Sequence, residues 1–143
     1  MSNELIETYY HEGLGYNPFI IKDNWQVAQL NFIPEQGLYA IQKMDMHMQT
    51  DEVFVLTTGT AVLIGAVLEN EGFNFQLIQM KIGITYNVPV NTWHNIAMDK
   101  DAEVIIIEKS NTHLGDFVYR QLSKNEAEYL NDAIRRLLNE QPF

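Results

Sequence analysis

The chain of 143 residues contains no cysteine. Disulfides and thiolate metal sites are therefore excluded, and any metal must be held by His, Asp, Glu or amide oxygens. Positive charge is scarce: 9 Lys and Arg stand against 19 Asp and Glu, a net charge of −10. That balance repels phosphate backbones and anionic membrane surfaces, so neither nucleic acid nor membrane is an expected partner. No stretch approaches the ~18 uninterrupted apolar residues of a membrane span. The first thirteen residues, Met1 to Gly13, are acidic and polar, unlike the basic and then apolar start of a secretory leader. A cytoplasmic protein is expected. The length suits a single domain, residues 1–143, large enough to bury a core.

Helical periodicity is also missing between Trp25 and Tyr119, as are repeats and low-complexity linkers. What fills this region is a series of short strand-like runs: Gln26 to Ile33, Leu38 to His47, Glu52 to Thr57, Ala61 to Leu68, Phe73 to Lys81, Tyr86 to Val88, Trp93 to Met98 and Glu103 to Lys109. Turn-forming residues separate them, as in Pro34-Glu35-Gln36-Gly37 and Glu69-Asn70-Glu71-Gly72. Phe73 to Leu77 alternates apolar and polar, the mark of a strand with one buried face. Val104 to Ile107 does not alternate, which predicts cover on both faces, from a second sheet inside and from a helix or another subunit outside. About eight short strands at this spacing predict an all-β sandwich or barrel over residues 25–119.

The C-terminal region is different. Ser123 followed by Glu126 is a capping-box pattern, and Ala127, Leu130, Ile134, Leu137 and Leu138 recur at helical spacing. One amphipathic helix from Lys124 to Asn139 follows, with an apolar stripe that must lie across the barrel or against a partner subunit. The stretch before Asn24 gives no clear pattern.

Two segments hold polar residues that strand packing does not demand. In Asp45-Met46-His47, the acid and the imidazole share a strand face, and a turn then brings Glu52 to the start of the next antiparallel strand. Strand parity is lost through the turn, so Asp51 is an equally available carboxylate. In the second segment, Gly83 to His94, Pro89 and Asn91 suggest a turn that delivers His94 onto a new strand. Met44, Met46 and Met48 alternate with Asp45 and His47 and are expected to pack against an outer layer.

These segments resemble the two motifs of the cupin superfamily, over about Asp45 to Met98. The first motif has His-x-His, four residues, Glu and then Gly; here Asp45 replaces the first His, followed by His47, Glu52 and Gly59. The second has Gly, five residues, Pro, x, Gly, two residues, His, three residues and Asn. This chain supplies Gly83, Pro89, Asn91 for the Gly, His94, and Met98 for the Asn. The resemblance implies a double-stranded β-helix, the jelly-roll antiparallel barrel, with the amphipathic helix outside it. It also implies a divalent transition metal (Mn, Fe, Ni or Zn) bound by His47, Glu52 and His94, with Asp45 in place of the usual first His. Two imidazoles and a carboxylate with open positions suit such ions and let them act on a substrate oxygen.

Function is less constrained than fold, because this fold hosts isomerases, lyases, oxygenases and non-catalytic binders. Three readings stand: a metal-dependent enzyme acting on a small polar metabolite such as a sugar, keto acid or ureide; a sensing or binding module using the same pocket; and a structural homodimer with a degenerate site. In the enzyme reading Tyr86 or Asp45 is the candidate acid or base. Tyr86, Trp93, Phe54 and Phe75 are candidates to line the cavity or fill the core. His113 follows the last long strand and is expected to be a solvated loop residue, with a place at the barrel mouth as the alternative, and His11 carries no signal.

Overall fold

The computed structural model describes residues 4–139. Its strands are β1 (Tyr16–Ile21), β2 (Gln26–Asn31), β3 (Lys43–Met46), β4 (Glu52–Thr58), β5 (Ala61–Glu69), β6 (Gly72–Gln79), β7 (Thr85–Val88), β8 (Trp93–Met98), β9 (Glu103–Glu108) and β10 (Val118–Gln121). Helix α1 (Thr112–Gly115) precedes β10, and α2 (Lys124–Asn139) follows it. The strands form two five-stranded sheets in the orders β1-β2-β9-β4-β7 and β10-β3-β8-β5-β6, with every strand pair antiparallel.

Alternation along the strands decides what each sheet sends inward. Phe54 and Leu56 of β4, Val104 and Ile106 of β9, and Ile96 and Met98 of β8 meet between the sheets as a buried apolar cluster. The opposite face of the second sheet, with Met44, Val62, Ile64 and Ala97, is covered by Ala127, Leu130 and Ile134 of α2. The helix therefore lies across the barrel, as its apolar stripe predicts. Its capping box is formed: the Ser123 N–H donates to Glu126 Oε1 at 2.8 Å, and the Glu126 N–H donates to Ser123 Oγ at 3.1 Å.

Several elements depart from the sequence expectation. The run from Leu38 becomes a strand only at Lys43, because Pro34–Gln36 form a 3₁₀ turn. Asn131 of α2 also takes both backbone groups of Ile41, accepting its N–H at 3.2 Å and donating to its carbonyl at 3.1 Å, so they are not available for strand pairing. Strands β1 and β10, at opposite sheet edges, carried no readable alternation. The outer layer over Met44 is α2, while Met48 is exposed. Among the described residues, the outer face of β9 is left partly open. Ile107 is 40% exposed, and the register aligns it with Val27 and Val53 in an apolar stripe across three strands.

Two motif positions owe their identity to backbone geometry. Gly59 has φ +78, and a Cβ there would stand 2.4 Å from the Ala102 nitrogen, so the turn admits only glycine. Asn91, standing where the second motif has glycine, has φ 64. Asn is among the few non-glycine residues that adopt this left-handed conformation readily, which accounts for the exchange.

Candidate metal centre

The loop from His47 to Asp51 carries the chain from one sheet to the other, and its local hydrogen bonds sort its side chains. The Met48 and Gln49 N–H groups donate to the two carboxylate oxygens of Asp116 at 2.8 and 2.9 Å. Asp51 turns outward and accepts from the Val90 N–H at 2.9 Å and from Asn87 Nδ2 at 3.1 Å. Those contacts hold its carboxyl below the usual carboxylate range. Asp51 thus fastens the turn between β7 and β8 to this loop, and Glu52, the first residue of β4, is the carboxylate that faces inward.

Both imidazoles converge on it. His47 Nε2 donates to Glu52 Oε1 at 3.1 Å, and His94 Nε2 donates to the same oxygen at 2.8 Å. The two rings lie 5.1 Å apart. Each ring's other nitrogen is tied to a backbone carbonyl: His47 Nδ1–H donates to Asp116 O at 2.6 Å, and His94 Nδ1–H to Thr92 O at 2.9 Å. A carbonyl can only accept, so both Nδ1 atoms carry protons, and both Nε2 atoms are the positions that could hold a metal once their own protons leave. Asp45 pairs in register with His94, and its Oδ2 lies 3.7 Å from His47 Nε2.

Charge follows from this packing. Burial is the largest single influence on each imidazole and pushes its pKa down. The Glu52 hydrogen bond and charge, the backbone carbonyls and Asp45 outweigh it, and His47 rises to about 9 while His94 rises as well. Glu52 shows the reverse balance: burial pushes it up, and the two imidazoles bring it well below the ordinary glutamate value. For Asp45, burial dominates and raises the pKa.

A fifth group went unnoticed in the sequence. Glu108, the last residue of β9, sits directly across from Glu52 in the strand register. Tyr16 OH donates to its Oε1 at 2.6 Å, and Gln26 Nε2 donates to Tyr16 OH at 2.9 Å and lies 3.3 Å from the same Oε1. Gln26 Nε2 also donates to His113 Nδ1 at 3.2 Å, so His113 lines the cavity instead of standing in a solvated loop. The available signal was parity: Glu108 ends the run Val104-Ile105-Ile106-Ile107 on the same inward face as Val104 and Ile106.

The cavity above the cluster has a volume of about 600 Å³. Phe54 lines it, with its ring edge-on to His94 at 6.1 Å. Tyr86 does not: it packs against the apolar cluster, and its hydroxyl accepts the Lys81 N–H at 3.0 Å. Trp93 and Phe75 lie on the opposite face of their sheet, in the cluster beneath α2. Asp45 Oδ1 and Glu108 Oε2 are buried and have no hydrogen-bond partner among the described residues.

No protein-family model and no curated protein matches the chain. Solved structures do resemble it. Streptomyces PAC13, solved with uridine, aligns at TM-score 0.53 and 14% identity, covering 84% of this chain and 98% of that one. BH2720 from Bacillus halodurans aligns at TM-score 0.51 and 14% identity, covering 68% and 70%. A cupin-2 domain protein from Shewanella frigidimarina aligns at TM-score 0.49 and 18% identity, covering 70% and 84%. The chain shares its fold of two five-stranded antiparallel sheets with PAC13 and BH2720.

Proposed function

We propose that this cupin-fold chain binds a divalent transition metal through His47, Glu52, His94 and Asp45 and uses it on a small polar metabolite. One observation carries the reading: two imidazoles, each oriented by a backbone carbonyl, aim their Nε2 atoms at one carboxylate oxygen. A polar core pair needs no such convergence, whereas metal-ligating histidines regularly show this outer hydrogen bond. The unpartnered Asp45 Oδ1 fits a further donor. When bound, the ion supplies Lewis acidity toward a substrate oxygen. The chain itself contributes orientation, a cavity partly closed to water, and in Asp45 a further carboxyl at the cavity wall.

The lining narrows the ligand. Among the described residues that line the cavity, Lys43 is the only lysine or arginine, and its ammonium lies over the Tyr119 ring at 3.8 Å from the centroid. Carboxylates from Asp45, Glu52 and Glu108 share the space, so a neutral, hydroxyl-rich or ureide-like ligand suits it better than a dianion. We read the protein as an enzyme of isomerase, lyase or oxygenase type.

A second copy belongs to the same proposal. The stripe of Val27, Val53 and Ile107, with Ile105 and Val55 beside it, lies at the middle of an outer sheet face in a chain of net charge −10. An apolar, uncharged strip is where two such acidic chains can approach without repulsion, and we infer a homodimer across it. A cytoplasmic location is part of this reading, supported by an anionic charge balance that disfavours membrane surfaces. No helix among the described residues is long and apolar enough to cross a membrane.

Metal analysis of purified protein beside His47→Ala and His94→Ala tests the centre. Stoichiometric metal in the wild type and its loss in both variants is the expected result; metal content indifferent to both changes rejects it. Thermal-shift screening of the loaded protein with sugars, ureides, keto acids and a nucleoside such as uridine then tests the ligand class. A binding hit without turnover turns the enzyme into a binding module. Light scattering after size exclusion checks the dimer, and a monomer at high concentration rejects it.

A further inference from the structure

Glu108 is the buried acid that the motif resemblance leaves out. Resting on the metal-centre reading above, we propose that Glu108 is a fifth protein ligand, giving the ion a set of two imidazoles and three carboxylates.

Its geometry is that of a positioned donor. Tyr16 OH holds Oε1 at 2.6 Å, with the Gln26 amide at 3.3 Å, so the carboxyl plane is fixed from behind. The other oxygen, Oε2, is left facing the cluster, 3.9 Å from His47 Nε2. The residue is only 6% exposed, and Oε2 has no hydrogen-bond partner. Leaving a buried carboxylate oxygen unsatisfied is costly, which is why such an atom marks a missing partner.

The register sharpens the point. Glu52 and Glu108 face each other across adjacent strands, with both side chains buried. Like charges directly opposite destabilise a sheet, and burial withholds the water that would screen them. A glutamine would serve Tyr16 as an acceptor without this conflict. A cation between the carboxylates removes it.

Donor proximity agrees. His47 belongs to two groups whose ligand atoms lie within 4.8 Å of one another: Asp45, His47 and His94, and His47, Glu52 and Glu108. The second group does not depend on Asp45, the position where the first motif departs from histidine. A set of two nitrogens and three carboxylate oxygens suits Mn(II) or Fe(II), which accept six donors, better than Zn(II), which is commonly satisfied by four.

Calorimetric titration of metal-stripped wild type, Glu108→Gln and Glu108→Asp with MnCl₂, visible spectra of the same proteins with Co(II), and melting of the stripped forms test the assignment. Expected are at least tenfold weaker Mn(II) binding by Glu108→Gln, an altered cobalt spectrum, and a stripped form that melts no lower than wild type. Wild-type affinity and spectrum in folded Glu108→Gln overturn the role of Glu108 and leave the four-residue centre standing. Should Glu108→Gln fail to fold, Glu108→Asp decides: its carboxylate sits one methylene short, so unchanged affinity and spectrum overturn the role. A wild type that binds neither ion overturns the centre and this ligand together.

Discussion

The two ends of the barrel interior are built from the same strands and differ in what those strands carry. On β4, Glu52 faces the cluster and Leu56, four residues on, is sealed in apolar packing. On β9, Glu108 and Val104 stand in the same relation, and on β8 so do His94 and Met98. Each pair shares a strand face at a separation of about 13 Å. The register aligns Glu52 with Glu108 at one end and Leu56 with Val104 at the other. One end is closed with apolar side chains that stabilise the barrel, and the other gathers the buried ionisable groups of the proposed metal centre. Stability and chemistry are separated along the strands, not between elements.

That contrast can be broken from either end. The largest effect is expected from a paired test: His94→Ala eliminates stoichiometric metal while leaving the stripped protein folded by circular dichroism, whereas Leu56→Ala costs about 2–5 kcal/mol in denaturant unfolding and leaves metal stoichiometry intact. Metal loss in Leu56→Ala at conditions where it remains folded would show that the two ends are coupled. Gly59→Ala comes next. Its Cβ collides with the Ala102 backbone and its φ is left-handed, so several kcal/mol of destabilisation are expected from the closed end alone.

Acidity sharpens the comparison further. The folded pKa of His47 is raised from 6.5 to about 9, so its pairing with Glu52 stabilises the stripped protein fully below pH 6.5 and is lost as pH rises through about 9. Glu108, raised by burial and by Glu52, works in the same direction, since its ionisation in the fold is resisted at a pH where the unfolded chain ionises freely. The stripped protein should therefore melt progressively lower from pH 6.5 to 9. Metal affinity should rise over the same window, because both imidazoles must release their Nε2 protons to ligate. Melting curves of stripped protein beside manganese titrations check the opposed slopes; parallel slopes count against an imidazole-based centre. The smallest effect is expected at Asn91→Gly, within about 0.5 kcal/mol, because both residues accept its positive φ.

Much of the fold was legible because burial writes itself into strand periodicity. The runs at Glu52, Ala61, Trp93 and Glu103 begin where the strands begin, and the Ser123 to Glu126 signature marks the start of α2. Edge strands β1 and β10 were not legible, since each pairs with only one neighbour and β10 is exposed along its whole length. Within the site, Asp45, His47, Glu52 and His94 share one cluster, as their spacing implied. Tyr86 does not join it: in sequence its hydroxyl looks like a candidate acid or base, and in space it accepts the Lys81 N–H.

The sequence alone determined that thiolate chemistry is excluded, that the chain is mostly β with one C-terminal helix, and that two histidines and an acid stand at the spacing of the cupin motifs. Periodicity and residue type are local properties, and a linear text records them. Only tertiary structure decided which of Asp51 and Glu52 faces inward, because the side-chain amide of Asn87 on β7 and the Val90 N–H of the turn after it capture Asp51 and leave Glu52 to the interior. Only tertiary structure, too, set Glu108 opposite Glu52. A register between strands more than fifty residues apart is fixed by the whole barrel, and no local pattern contains it.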